Sequence, residues 1–179
     1  MIFISTYFIS DPHFNHINSI PYCNRPFKDV DHMNMTIVNN ILTTINENDK
    51  LFLLGDIWDP KYLKFFNYFK MYFILGNHDK QKSKYNKIIN VINEYNLDNI
   101  ILYKHPVKIK DILILSHEPY QGKGPFINIH GHLHNKFMQN DIKNEKYYFN
   151  CCVENIEYKP IIVDEIFNRI PFKYESVAQ

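Results

Sequence analysis

Long apolar runs are missing from this sequence: no stretch approaches the roughly 18 uninterrupted apolar residues that a membrane span needs. A membrane partner is therefore not expected. The first ten residues are apolar, but they lack a basic leader and a small-residue cleavage site and run straight into Asp11 and His13. They read as a first strand and not as a signal. Cysteine is scarce. Of the three present, Cys151 and Cys152 are neighbours and Cys23 is remote, which excludes a disulfide framework and points to a reducing compartment, the cytoplasm. Net charge is nearly absent too, because 20 Lys and Arg are offset by 19 Asp and Glu, leaving a formal +1. The broad positive field of a non-specific nucleic-acid binder is missing, so extended nucleic acid is not the expected partner. No repeat, low-complexity tract or linker interrupts the 179 residues. One domain over 1–179 is expected, with no room for a separate capping domain over a substrate.

What is present is a packed globular chain, 45% hydrophobic and 16% aromatic, which sets disorder aside. Short apolar runs at 2–10, 51–54, 72–75, 112–115 and 127–129 read as buried strands. Between the first two, Val30, Met33, Ile37, Val38, Ile41, Leu42 and Ile45 recur at three and four residues and predict one amphipathic helix. Asp59 followed by Pro60 has the form of a helix start leading into 62–70. Tyr85, Ile88, Ile89, Ile92 and Tyr95 predict a third helix. This alternation favours parallel strands joined by right-handed crossovers. Strands at 100–103, 107–109, 112–115, 127–129 and 147–153 follow without helices between them, which predicts a second, largely antiparallel sheet. A short helix near 164–170 closes the chain. The class is α/β (α+β).

Five polar clusters sit just beyond five predicted strands: Asp11-Pro12-His13, Gly55-Asp56-Ile57-Trp58-Asp59, Gly76-Asn77-His78-Asp79, Ser116-His117 and Gly131-His132-Leu133-His134. Open α/β sheets hold ligands in the crevice beyond the carboxyl ends of their strands, so distant loops can share one site. The clusters offer carboxylates, imidazoles and one amide, and no thiolate. That donor set suits Mn, Fe, Zn or Ni bound through oxygen and nitrogen.

In these residues the chain resembles the calcineurin-like metallophosphoesterase superfamily, with all five motifs in order. The nearest resemblance is to its short, capless bacterial and phage branch, where the first motif extends as Asp11-Pro12-His13-Phe14-Asn15-His16 and Arg25-Pro26-Phe27 follows. The resemblance implies a two-sheet β-sandwich flanked by helices. It also implies two divalent transition metal ions, with Mn the first choice and Fe, Zn or Ni the alternatives. Asp11, His13 and His134 would hold one, Asn77, His117 and His132 the other, and Asp56 would bridge them. The pair would activate a shared water for attack on phosphorus. His78 would serve the leaving group, with Asp79 helping to orient it. The implied activity is hydrolysis of a small phosphomonoester or phosphodiester, nucleotide-like in size. A metal-dependent nuclease and a catalytically silent metal-binding scaffold are the rivals.

Other polar residues admit two readings. His16 and Arg25 fall in the long loop after the first strand and are either substrate-phosphate contacts or solvated loop residues. Asp59 is an N-cap or a support for the site. His130 packs, His32 and His105 lie on the surface, and the loop from Tyr120 through Gly124 is either a pocket rim or a turn. The aromatic stretch Tyr62, Phe65, Phe66, Tyr68 and Phe69 belongs to the core rather than to a base-stacking platform.

Overall fold

A computed structural model describes residues 4–110 and 112–171. β1 (Thr6–Ile9), β2 (Lys50–Leu53), β3 (Lys70–Ile74) and β4 (Ile100–Tyr103) form a parallel set. β9 (Ile161–Ile162) adds an antiparallel edge beside β1, giving the order β4-β3-β2-β1-β9. Register places Phe8 beside Phe52 and Phe52 beside Tyr72, and the rings stack at 5.2 and 4.7 Å between centroids. The second sheet runs in the order β5 (Val107–Ile109), β6 (Leu113–Leu115), β7 (Phe126–His130) and β8 (Lys146–Asn150).

Helices cover the strands where the apolar spacing requires them. α1 (Ser19–Tyr22) is a single turn in the loop after β1. α2 (Val30–Thr44) buries Met33, Ile37, Val38 and Ile41 and is capped by Asp29, whose carboxylate accepts from His32 N at 2.7 Å. α3 (Lys82–Glu94) buries Ile88 and Val91, and α4 (Val163–Arg169) buries Ile166. Among the described residues no helix is long and apolar enough to cross a membrane. The architecture is thus two sheets flanked by helices.

Three local expectations are corrected. The second sheet is not largely antiparallel: only β5 opposes its neighbour, whereas β6, β7 and β8 run parallel. Their crossovers, residues 116–125 and 131–145, contain no regular α-helix, so no helical periodicity announced a parallel connection. The strand at 100–103 does not join that sheet but pairs with β3. The helix expected over 62–70 is a 3-10 segment, Pro60–Phe65. It stops because Asn99 Nδ2 donates to the carbonyls of Phe66 and Phe69 at 2.7 Å each, satisfying oxygens that a continuing helix would have used.

The parallel strands of both sheets point their carboxyl ends to one place, and a parallel bridge between Ser10 and Cys152 stitches the sheets together there. Ser10 N donates to Cys151 O and Val153 N to Ser10 O, both at 3.0 Å.

Candidate metal centre

Three of the five functional loops leave their strands by an abrupt turn. Asp11, His13, Asp56, Trp58, His132 and His134 all have positive φ, between 49° and 70°. Non-glycine residues rarely sit in this left-handed region, and such strain gathers where side chains are clamped for a ligand. The loops also press on one another. A Cβ at Gly76 would collide with the Asp56 carboxylate, and one at Gly131 with Ser10 Oγ and the Asp11 carboxylate.

Two groups of donor atoms meet at Asp56. In the first, Asp11 Oδ1 lies 3.5 Å from His13 Nε2 and 4.0 Å from His134 Nε2. In the second, Asn77 Oδ1 lies 2.9 Å from His117 Nε2 and 3.2 Å from His132 Nδ1, and the two ring nitrogens are 3.2 Å apart. Asp56 Oδ2 stands between the groups, 3.9 Å from His13 Nε2 and 3.4 Å from His117 Nε2.

The backs of these side chains are held by the protein. His117 Nδ1 donates to Leu54 O at 2.8 Å, which turns the Nε2 lone pair of the neutral ring toward Asp56 and Asn77. Asp11 Oδ2 accepts from His132 N at 2.8 Å and from the Cys152 thiol at 3.2 Å. Its other oxygen, Oδ1, is buried without a hydrogen-bond partner, and so are both nitrogens of His13. An unsatisfied buried polar atom costs about 1–3 kcal/mol. Lone pairs gathered face to face in this way fit a cation, and the mixed oxygen and nitrogen donors fit a divalent transition metal.

The electrostatics agree. Burial opposes ionisation of Asp11, yet His117, His13 and His134 hold its carboxyl well below the usual carboxylate range. Burial likewise opposes a proton on His117, but Asp11 and Asp56 overcome it and raise the ring to about 9. His134 is raised to about 10 against the same penalty, by the Cys23 thiol, Glu154 and Asp11. A pocket that holds protons on imidazoles this strongly attracts cations, and protons and metal compete for the same lone pairs.

The family model for calcineurin-like phosphoesterases matches residues 4–171. The chain belongs to that family. An uncharacterised protein of Methanocaldococcus jannaschii is 34% identical over 174 residues, covering 92% of this chain and 90% of its own. The crystal structure of a protein of unknown function from Aquifex aeolicus superposes with a TM-score of 0.66 at 27% identity, over 93% of this chain and 99% of that one. Phosphoesterase chemistry with divalent metals is the family's common property, and all seven motif residues named as ligands in the sequence converge here.

The remaining candidates of this phosphoesterase fall in different places. His78 stands at the rim with its side chain 38% exposed and Nε2 3.9 Å from Asp56 Oδ2. Asp79 does not reach its ring. The Asp79 carboxylate is buried and accepts from Asp56 N at 2.6 Å and Gly76 N at 2.9 Å, so it ties two loops together instead of orienting His78. Burial and the Asp56 charge raise its pKa to about 6. His16 does line the mouth, stacked on Trp58 at 3.8 Å with 10° between the planes. Burial, then the charges of His13 and His78, lower its pKa to about 4, so it is neutral at pH 7.

Arg25 is not a substrate contact. It is buried under the site, its Nη1 and Nη2 donating to Pro12 O and Asp11 O at 2.9 and 2.8 Å, and its Nη2 2.7 Å from Glu154 Oε1. With every nitrogen engaged, including Nε on Glu154 at 2.9 Å, no donor is left for a ligand. Asp59 caps the 3-10 segment through Lys61 N at 3.1 Å. His130 packs, its Nδ1 donating to Gly131 O at 2.8 Å. Two residues had no role assigned from the sequence. Glu154 accepts from His134 Nδ1 at 3.0 Å, and Trp58 walls the site beside His13, His16 and His78.

Proposed function

We propose that this phosphoesterase is dinuclear and hydrolyses small phosphomonoesters or phosphodiesters. The observation that carries the reading is the position of Asp56 Oδ2 between two sets of inward-facing donors, 3.4 Å from one and 3.9 Å from the other. Asp11, His13 and His134 would hold one divalent cation, Asn77, His117 and His132 the second, and Asp56 both. When bound, such a pair lowers the pKa of a shared water and neutralises charge on the phosphoryl oxygens.

The chain's own residues do the rest. Asp11 and Asp56 bring two negative charges to a buried site that would otherwise reject two dications. The carbonyl of Leu54 keeps the ring of His117 turned so that Nε2 faces inward. His78 is exposed enough to meet an incoming ester and close enough to Asp56 to give a proton to the departing oxygen. The cleft over the centre is lined by His13, His16, His78, His132 and His134 and holds about 450 Å³, a volume suited to a small ester. Cytoplasmic residence and Mn as resident metal belong to the same proposal.

The test is a screen of Mn-loaded protein against para-nitrophenyl mono- and diesters, nucleotides, cyclic nucleotides and duplex DNA. Turnover of small esters with little response to salt supports the reading. Efficient duplex cleavage with a steep salt slope would replace it with a nuclease.

A further inference from the structure

Behind Trp58 lies a cavity of about 490 Å³ that the metal centre does not use. Its walls include Asn15, Trp58, Asp59, Lys61, Lys84 and Lys87. The single carboxylate among these is already engaged, accepting from Asn15 Nδ2 at 2.6 Å and Lys61 N at 3.1 Å. Among the described residues none of the three lysines has an ion-pair partner. In a chain of net charge +1, this is a local concentration of positive charge.

Two features separate it from an ordinary solvated lysine face. Lys84 is fixed: its Nζ donates to Trp58 O at 3.1 Å and stands 4.4 Å from the centre of the Trp58 ring. Trp58 is strained, with φ of 67°, a conformation that costs a bulky residue about 1–3 kcal/mol. That strain sets the indole as a partition. It stacks on His16 and meets His78 edge-on at 5.2 Å and His13 at 5.8 Å, while Lys84 lies over its ring. Trp58 is therefore shared by the rim at His78 and the lysine-lined cavity.

We infer that this groove receives a second phosphate of the substrate, on the leaving-group side, so that small bisphosphorylated esters are preferred over esters with one phosphate. The inference rests on the proposed assignment of His78 to the leaving group. Three lysines suffice for one further phosphate, held by charge-assisted hydrogen bonds, and do not form the long basic track that a polymer needs.

Trp58 is the only tryptophan, so its fluorescence reports occupation of the groove. Metal-loaded protein is mixed with thymidine 3′,5′-bisphosphate or with thymidine 5′-monophosphate in a stopped-flow fluorimeter. The bisphosphate is expected to bind at least about tenfold more tightly, the scale of one hydrogen bond to a charged group. Lys84→Gln with Lys87→Gln should bring the ratio to about unity, and Lys87→Gln alone, which leaves the Trp58 contacts in place, should lower it. Equal binding by the wild type, or an unchanged ratio in both variants, overturns the inference. Turnover is followed in the same samples. An active enzyme without the preference removes the groove alone, whereas an inactive protein that retains it supports the groove and removes the phosphoesterase assignment.

Discussion

His134 Nδ1 lies 3.0 Å from Glu154 Oε1, on the side of the ring opposite the nitrogen that faces Asp11. A carboxylate can only accept from Nδ1, so Glu154 presents the Nε2 lone pair of the neutral ring to the site and makes it more basic. Glu154→Gln should weaken metal binding at the Asp11, His13 and His134 group by about 10–100-fold and leave the Asn77, His117 and His132 group far less affected. Calorimetric titration would resolve the two steps. Equal weakening of both would make Glu154 a general support of the fold.

Arg25 holds Glu154 in turn. Its side chain is fully buried, so Arg25→Met takes the guanidinium from the Glu154 carboxylate and leaves it only His134. Removing one member of a buried pair costs about 3–5 kcal/mol. Denaturant unfolding should show a loss of that order, and a loss below about 1 kcal/mol would contradict the clamp.

The raised histidines make the metal-free protein pH-sensitive. His117 titrates near 9 and His134 near 10 when folded, against about 6.5 when unfolded. Folded pKa values above the unfolded one give stability that is fully present below about 6.5 and lost as pH rises through 9 to 10. Asp79, raised from 3.8 to about 6, contributes stability that is fully present below about 3.8 and is lost as pH rises through 6, so it does not change between pH 7 and 10. The chelated protein should therefore melt at lower temperature at pH 10 than at pH 7. Metal binding at pH 7.5 should release protons, measurable as a buffer-dependent heat. Absence of proton release would mean the imidazoles are already neutral.

His78 should separate from the ligands. His78→Asn is expected to keep near-native metal content and lower turnover by about 10²–10⁴-fold, most for esters with poor leaving groups. Loss of a metal in that variant would move His78 into the ligand set.

That these seven residues would share one site was legible in the sequence because each of the five loops carries a residue type that few structural roles demand, in a fixed order behind an apolar run. Glu154 was not legible. It stands alone after Val153, outside any motif, and its role exists only because β8 runs parallel to β7 and brings it behind His134. The same missed direction produced the antiparallel expectation for the second sheet. Arg25 was misplaced for a different reason: a loop arginine near histidines looks solvated until Met33, Pro12 and Asp11 are seen to surround it. Strain at Trp58 has no sequence signal at all, since tryptophan does not favour positive φ.

Metal content and activity measured together on wild type and Asp56→Asn test the dinuclear centre most directly. Two metals per chain and full activity are expected for the Mn-loaded wild type. Exhaustive chelation should abolish activity, and Asp56→Asn should lose metal from both groups together with turnover. Full activity in protein shown by elemental analysis to be metal-free, or two metals and near-native turnover in Asp56→Asn, would contradict it.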